Sequence, residues 1–352
     1  MAYLNRIATA VPENDVHQAF VAFADTLLGE RSRPIFRRMA DRSQIERRWS
    51  VLSPAPGPTG PSVDAEGFYR RGAFPSTGAR MRRYQAEAPV LAQRAVERLG
   101  LGADIARATH LIVTSCTGFS APGLDLELVA RCGLSPSIER TVVGFMGCYA
   151  AVSALKLARH IVRSDPAARV LVVSLELCTL HLQEVDDLEQ VLTFLVFGDG
   201  CAAALVTAEP AGFRLDRFKA VVAPGTGEHI TWDIGDRGFD MFLSGQVPGA
   251  IGAALRQSRD EILDGAAPEA IDLWAVHPGG RTVLDAVEQA LGLAPEALAA
   301  SRTVLRDFGN MSSPTVLFVL EALLKAAAPG RRGCAMAFGP GLTAETLLFT
   351  AV

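Results

Sequence analysis

The chain has 352 residues, of which 49% are hydrophobic, and its 34 basic and 38 acidic residues give a net charge of −4. This length exceeds one ordinary domain and predicts two closely packed halves. The mildly acidic balance argues against a nucleic-acid binder, whose affinity comes largely from phosphate neutralisation. We find neither a secretory signal pattern nor an apolar run of the roughly 18–20 residues that cross a bilayer, so we expect a cytoplasmic protein with no membrane span.

The cysteines are scattered along the chain, with no CxxC pair. In a cytosolic protein this argues against both a disulfide framework and a zinc site, and we expect no metal. Most of them are interpreted as small core residues, with one or two available for chemistry. The six are Cys116, Cys132, Cys148, Cys178, Cys201 and Cys334.

Apolar strand-like runs alternate with helix-like segments after a stretch rich in Pro, Gly and Ser at 51–64. This alternation predicts an α/β protein with buried sheets. In chain order, the predicted elements are a helix near 86–99, a strand at 110–114, a helix at 150–163, strands at 170–174 and 201–207, a helix at 249–264, a strand at 272–276, helices at 282–291 and 315–328, and a strand at 334–338.

A loose internal symmetry predicts two related halves, which we place at 1–208 and 209–352. Each half has a short polar loop that runs into a very apolar helix. GFMGC, ending at Cys148, precedes YAAVSALKLARHIV, and DFGN, ending at Asn310, precedes MSSPTVLFVLEALLKAAA. Helices this apolar must be buried on nearly all sides. We therefore expect two central helices whose N-termini carry Cys148 and Asn310.

Cys148 is the candidate nucleophile. The free N–H groups and partial positive charge of a helix N-terminus favour the reactive thiolate over the thiol. Taken alone, the position suits equally well a small residue at a helix–sheet junction. His277 ends the apolar run DLWAV, at the strand end where α/β proteins place ligand contacts. Asn310, taken alone, suits a helix N-cap. Together, thiol, imidazole and amide form a minimal set for acyl transfer through a stabilised oxyanion.

Six segments spread over nearly the whole chain resemble the chalcone synthase family of type III polyketide synthases, within the thiolase-like superfamily. They occur in the order of that family: MADRS at 39–43, GCYA around Cys148, FGDG at 197–200, VHPGG at 276–280, GNMSS at 309–313 and AFGPGLTAE at 337–345. The resemblance implies a five-layered αβαβα fold, a homodimer and an acyltransferase that needs no cofactor beyond its CoA thioester substrates.

The resemblance also implies the reaction. A starter acyl group would move from CoA to Cys148 and be extended with malonyl-CoA. His277 and Asn310 would hold the malonyl thioester carbonyl while decarboxylation makes an enolate there. His277 would in addition pair with Cys148 as imidazolium and thiolate.

The family places its reaction pocket at further positions of this chain. Phe197 matches an aromatic gatekeeper, and the Gly339–Pro340–Gly341 loop matches a scaffold of the cyclisation cavity. The other matched pocket positions are Cys116, Thr179, Trp232, Met241 and Ser312. Trp232 replaces a glycine of the plant enzymes, so the pattern resembles bacterial members that take fatty acyl starters and release alkylpyrones or alkylresorcinols.

An arginine-rich segment supplies the expected CoA site. Seven arginines lie between residues 31 and 48, and forked guanidinium groups suit phosphate. Arg38 and Arg42 match family positions that contact the CoA phosphates, whereas a third such position is Ile35 here.

Two alternatives remain open from the sequence. A ketoacyl synthase III-like enzyme also combines Cys, His and Asn, but it performs a single condensation, usually with acyl-carrier protein. The second alternative is a type III synthase that forms a phloroglucinol or naphthalene product. The starter, the number of extensions and the ring closure do not follow from the sequence.

Overall fold

A computed structural model describes all residues from 1 to 352. Its strands are β1 (Tyr3–Ala10), β2 (Asn14–Asp15), β3 (Trp49–Ser50), β4 (His110–Ser115), β5 (Glu139–Gly144), β6 (Val170–Leu177), β7 (Asp199–Thr207), β8 (Phe213–Val222), β9 (Ile230–Gly235), β10 (Gly238–Leu243), β11 (Leu273–Val276), β12 (Arg332–Gly339) and β13 (Thr343–Ala351). Its helices are α1 (His17–Leu27), α2 (Arg33–Arg42), α3 (Thr77–Arg98), α4 (Leu124–Arg131), α5 (Ala150–Ser164), α6 (Leu188–Val196), α7 (Val247–Ile262), α8 (Arg281–Leu291), α9 (Ala299–Phe308) and α10 (Thr315–Ala326).

Nine of the strands form one continuous sheet in the order β11-β12-β13-β8-β1-β7-β6-β4-β5. The last five belong to the N-terminal part of the chain and the first four to the C-terminal part. The two sets meet only where β1 pairs with β8, through Tyr3 opposite Arg214 and Leu4 opposite Phe213. Elsewhere neighbouring strands pair over four to nine positions, so this short junction separates two sheet sections.

Side-chain alternation along the strands divides the interior into three apolar cores. In β6, Leu171 and Val173 enter a core with α3, whereas Val170 and Val172 enter a second core with α5 and α10. The C-terminal sheet section contributes to the second core and, on its other face, to a third core with α7 and α8. Since strand side chains point alternately to opposite faces, both sections are buried on both sides. The result is the predicted five-layered αβαβα arrangement.

The central layer consists of α5 and α10, the two apolar helices predicted to be buried. Helix α5 presents alanines such as Ala151 and Ala154 inward, which permits close packing between the sheet sections. The first six residues of α10, 315–320, are all buried. These helices bring the loops that precede them toward one another.

Every helix and strand predicted from the sequence is present, with shifted ends. The largest shift concerns α3, which begins at Thr77 instead of 86 because Ser76 caps it by accepting the N–H of Ala79 at 3.4 Å. No helix combines the length and apolar character needed to cross a membrane. The division at residue 208 stays a prediction.

Candidate active site

Cys148 lies in a single 3₁₀ turn, Gly147–Tyr149, that leads directly into α5. Gly147 has φ +73°, and a Cβ at this position would lie 2.5 Å from Cδ of Pro340. A glycine is therefore required for the loop before Cys148 to pack against the loop after β12. The N–H of Gly147 also donates to Sγ of Cys116 at 3.2 Å. These contacts fix the backbone that presents the thiol.

His277 directly follows β11 and continues its pairing, since its N–H donates to the carbonyl of Met336 at 2.7 Å. The side chain is 1% exposed, and neither ring nitrogen has a hydrogen-bond partner. Burial lowers the imidazole pKa to about 3. A buried neutral imidazole with both nitrogens free can accept a proton from one ligand group or donate to another.

The side-chain amide of Asn310 has a fixed orientation. Its Oδ1 accepts the N–H of Ser312 at 2.7 Å, while its Nδ2 lies 3.4 Å from the carbonyl of Gly279, two residues after His277. Because the oxygen is committed to Ser312, the amide nitrogen is the end that points toward the His277 loop. Asn310 can therefore act as a hydrogen-bond donor.

Asn310 does not cap α10, and the prediction that it lies at this helix N-terminus is wrong. The N-cap is Pro314, and no side chain caps the helix. Residues 310–313 form an intervening turn, in which Ser312 has φ +55°. Within that turn, the side-chain oxygen of Asn310 accepts the N–H of Ser312, so it does not cap the helix.

Cys148, His277 and Asn310 line one cavity of about 780 Å³, together with Phe197 and Met241. A smaller chamber of about 40 Å³ lies behind it. Cys148, Phe197, Ile230 and Met241 border both spaces. The chamber is completed by Cys116, Thr117, Gly147, Cys178, His181, Phe194, Trp232, Ser312 and Pro340.

Burial raises the pKa of the Cys148 thiol to about 11, although hydrogen bonding from Ser312 and Asn310 opposes the shift. The cost of burying an anion thus opposes the benefit of the helix end. Burial lowers the pKa of His277 as well, so that an isolated charge is disfavoured on either group. Transfer of one proton between them would create opposite charges that stabilise each other.

Trp232 is held at one side of the chamber by two contacts. Its Nε1–H donates to the carbonyl of Cys116 at 2.7 Å, and its ring meets the His181 ring edge-on, with centroids 5.2 Å apart. His181 is itself fixed, since Nε2 lies 2.7 Å from the carbonyl of Thr117 and Nδ1 accepts the N–H of Phe239 at 3.0 Å. The hairpin of β9 and β10 is thereby tied to the turn 178–181.

Thr179 borders neither the cavity nor the chamber that Cys148 lines, and its assignment to the substrate pocket stays a prediction. Its hydroxyl contacts Asp199 and Ser50, each at 2.7 Å, and the residue faces a separate pocket. Cys178 and His181 line the chamber instead. The 3₁₀ turn 178–181 changes which residues of this segment point inward.

The glycines of the 339–341 loop have different roles. Gly339 borders the large cavity, and a Cβ there would lie 2.8 Å from the Tyr149 ring. Gly341 borders neither space; its φ of +114° serves the turn between β12 and β13. Gly341 thus shapes the loop without contributing to the wall.

Glu176 is a buried acid beside the chamber, and it was not predicted from the sequence. Its carboxylate accepts from the Cys116 N–H, the Thr117 hydroxyl and the Ser313 hydroxyl, at 2.7–2.8 Å. Burial raises its pKa to about 7. A lone acid within the apolar run VLVVSLEL was a signal that could have found it.

Arg38 and Arg42 lie one turn apart on the exposed face of α2. Met39, between them in sequence, lines the large cavity. The predicted CoA residues are therefore close in sequence to the entrance of the cavity. No cluster of three or more His, Cys, Asp or Glu side chains has a geometry that could hold a metal ion.

Comparison with known proteins agrees with this geometry. Residues 1–210 match the family model of the chalcone and stilbene synthases, N-terminal domain, and residues 216–352 match the corresponding C-terminal domain. The chain belongs to the chalcone and stilbene synthase family of type III polyketide synthases. It is thus an acyl-transferring enzyme of a family that uses malonyl-CoA and acyl-CoA.

Characterised relatives of this type III polyketide synthase differ in their products. The chain is 35% identical to the "Alpha-pyrone synthesis polyketide synthase-like Pks18" of Mycobacterium tuberculosis, covering 99% of this chain and 91% of the relative. It is 34% identical to the bisdemethoxycurcumin synthase of Oryza sativa subsp. japonica, covering 100% and 92%. The activities in these names are those of the two relatives.

Solved structures confirm the fold. The type III domain of Dictyostelium Steely1 superposes with a TM-score of 0.89 at 26% identity, covering 100% of this chain and 99% of the other. A polyketide synthase of the brown alga Ectocarpus siliculosus gives 0.88 at 29% identity, covering 100% and 98%. The predicted thiolase-like architecture and type III polyketide synthase function are confirmed.

The buried His277 should make stability depend on pH. Its native pKa of about 3 lies below the ordinary value of 6.5, so between these pH values the unfolded chain binds a proton that the folded chain does not. The stability due to neutral His277 is therefore present above pH 6.5 and lost as the pH falls. In His277→Gln, the free energy of unfolding should fall less steeply from pH 6 to pH 4, by about 1.4 kcal/mol per pH unit. Urea unfolding across this range measures the difference, and parallel curves would contradict it.

Proposed function

We propose that the enzyme loads an aliphatic acyl group from CoA onto Cys148, extends it with malonyl-CoA and closes the product as an alkylpyrone or alkylresorcinol. The observation that carries this proposal is the placement of Cys148, His277 and Asn310 on one 780 Å³ cavity that adjoins an apolar chamber. The M. tuberculosis relative, whose name refers to alpha-pyrone synthesis, supports the lactone outcome. Metal and redox groups have no part in the proposed chemistry.

Loading begins with a proton transfer. His277 accepts the Cys148 proton, the sulfur attacks the thioester carbonyl, and CoA leaves as a thiolate that recovers the proton from the imidazolium. The burial of both groups supports this order, because an isolated charge is disfavoured on either one whereas opposite charges that form together stabilise each other. Ser312 lies beside Cys148 on the chamber wall and lowers the pKa of its thiol, so it is suited to stabilise the transient thiolate.

Extension requires donors for an enolate. As malonyl-CoA loses carbon dioxide, negative charge develops on its thioester oxygen, and the Nδ2–H of Asn310 and a ring N–H of His277 are placed to receive it. The new carbon nucleophile then attacks the acyl group on Cys148, and the sulfur departs. Neutral donors suit this step, because they stabilise the oxyanion without protonating the carbanion.

Substrate entry is proposed at α2, where Arg38 and Arg42 bind the CoA phosphates. Both side chains are exposed, and the neighbouring Met39 lies on the cavity wall. Arg37, on the same helix, is instead paired with Asp25 at 2.7 Å. This difference leaves Arg38 and Arg42 as the free cations of this helix face.

We also propose a homodimer formed through β5, the edge strand of the nine-stranded sheet. Its partner on one side is β4, and its other side is unpaired. Val142 is 49% exposed, and the nearby Phe119 and Phe145 are 39% and 37% exposed with their rings 5.3 Å apart. An apolar, unpaired edge invites strand pairing with a second copy. Sedimentation analysis of wild type and Val142→Lys would test this, since lysine at the edge should favour the monomer.

The test of the overall function is incubation with malonyl-CoA and an acyl-CoA series from acetyl to palmitoyl, with coumaroyl-CoA included. Mass spectrometry should show pyrones or resorcinols that carry the alkyl chain, with kcat/KM rising about fourfold per added methylene until the space is full. A single condensation product would instead favour the ketoacyl synthase III reading. Products from malonyl-CoA alone would favour the phloroglucinol or naphthalene reading.

Asn310→Asp should separate chemistry from folding. One carboxylate oxygen can still accept the Ser312 N–H, but the other replaces a donor and faces the Gly279 carbonyl. Malonyl-CoA decarboxylation should fall by about 10²–10³, the usual loss for one oxyanion donor. Carbon dioxide release by enzyme that remains folded measures the effect. Normal decarboxylation would remove Asn310 from the enolate site.

Replacement of Arg38 or Arg42 by Ala should raise KM for CoA thioesters more than it lowers kcat, because the phosphates lie far from the reacting carbon. The effect should shrink at high salt, which screens exposed charges. Arg37→Ala is the matched control and should leave KM near wild type. If the three variants behave alike at low ionic strength, the CoA site lies elsewhere.

A further inference from the structure

Arg80 lies in the first turn of α3 and is fully buried, with 0% of its surface exposed. A buried arginine is stable only when acceptors match its donors. Its Nε donates to the carbonyl of Pro75 at 3.0 Å, and its Nη1 donates to the carbonyls of Leu180 and Leu182, each at 2.8 Å. The side chain itself lines neither the cavity nor the chamber.

Tyr69 extends this contact to a third carbonyl of the same segment. Its hydroxyl donates to the carbonyl of Thr179 at 2.8 Å and accepts from Nη1 of Arg80 at 3.2 Å. The guanidinium carbon also lies over the Tyr69 ring, 5.2 Å from its centroid. The carbonyls of Thr179, Leu180 and Leu182 are therefore bound by one buried pair of side chains.

The segment held in this way contributes to the chamber wall. Cys178 and His181 line the chamber, and both belong to the 3₁₀ turn 178–181. Hydrogen bonds within such a short turn have poor geometry and hold it only weakly. The contacts that Arg80 makes from behind therefore determine where these two side chains lie.

Arg80 also packs against the hairpin of β9 and β10. Gly238, where β10 begins, has φ +108°, and a Cβ there would lie 2.9 Å from Cζ of Arg80. The close approach of hairpin and cation therefore requires a glycine. Trp232 and Met241 of the same hairpin line the chamber. One buried side chain thus contacts both the turn and the hairpin that form the chamber wall.

We propose that Arg80 is a positioning residue for chain extension, which fixes the turn 178–181 against the hairpin and so sets the shape of the chamber beside Cys148. This proposal rests on the proposed function, in which the chain that grows on Cys148 enters the chamber. His277 and Asn310 do not line the chamber. Loss of Arg80 should therefore impair placement of the acyl chain more than decarboxylation of malonyl-CoA.

Arg80→Met and Arg80→Lys test this role, because methionine removes every donor whereas lysine keeps a cation that can reach some of the same carbonyls. Arg159→Met is the matched control. Arg159 also donates to two backbone carbonyls, those of Leu215 and Asp216 at 2.9 and 2.6 Å, but it borders neither the cavity nor the chamber. Tyr69→Phe, which removes one hydroxyl, takes the place of Arg80→Met if that variant does not fold.

The first measurement compares carbon dioxide release from malonyl-CoA alone with product formation from an acyl-CoA and malonyl-CoA, both in folded enzyme. In Arg80→Met, kcat/KM for product formation should fall by about tenfold or more, since a 1 Å misplacement can cost about 10²-fold, while decarboxylation stays within about threefold. Arg80→Lys should recover part of the loss, and Arg159→Met should leave both rates near wild type. Equal losses in the two rates, or unchanged product formation, would overturn the positioning role.

A second measurement does not depend on catalysis. Alkylation of Cys178 by iodoacetamide, followed by peptide mass spectrometry, reports movement of the turn. Its rate should rise by about threefold or more in Arg80→Met, because a turn without its hydrogen-bond partners opens more often. An unchanged alkylation rate would also overturn the proposal. If the wild type forms no polyketide and Cys178 still reacts faster in Arg80→Met, the proposed function fails while the positioning of the turn by Arg80 stands.

Discussion

The active site depends on a short parallel bridge between Phe197 and Asn310, which joins the two parts of the chain. The N–H of Asn310 donates to Val196 at 2.8 Å, and the N–H of Gly198 donates back to Asn310 at 2.9 Å. Gly309 makes this approach possible, because a Cβ at its φ of +68° would lie 2.8 Å from the Val196 carbonyl. The same two hydrogen bonds therefore place the amide donor and the aromatic side chain that borders all three spaces.

Arg48 reinforces this junction from the other side. Its guanidinium binds the carbonyls of Phe194 and Phe197, so the end of α6 and the start of β7 are held to the segment before β3. Burial lowers its pKa to about 9, which leaves it charged at neutral pH. Loss of this side chain would leave buried carbonyls without partners, at a cost of about 1–3 kcal/mol each. The cation is thus structural.

Electrostatics of the site follow from burial. Cys148 and His277 lie where an isolated charge is disfavoured, and the Asn310 amide is oriented by a backbone N–H. Such a site is unreactive until a thioester binds. It then has one proton acceptor and neutral hydrogen-bond donors in place. Glu176 is also a buried titratable group. It is stabilised by the three hydrogen bonds that it accepts and not by a cation.

The sequence predicted those features that depend on local pattern. Apolar periodicity located α5 and α10, and loop–helix or strand–loop transitions located Cys148 and His277. Features that depend on distant pairing did not follow, such as the junction of β1 with β8 and the hairpin that carries Trp232. The sequence also does not show that Thr179 faces a pocket next to the chamber, because a 3₁₀ turn sets the direction of the side chains in its segment. From the sequence, Asn310 suits a helix cap. The sequence does not show that its side-chain oxygen instead accepts the N–H of Ser312, because this contact depends on the left-handed backbone of Ser312.

The most direct test of the account is the identity of the acylated residue. Enzyme incubated with a fatty acyl-CoA, without malonyl-CoA, should gain one acyl group, and peptide mass spectrometry should find it on Cys148. Cys148→Ala should show neither adduct nor condensation product, whereas Cys116→Ala and Cys178→Ala, which alter the other two thiols of the chamber, should retain the adduct. An acyl group on Cys116 or Cys178, or condensation by Cys148→Ala, would contradict the central claim.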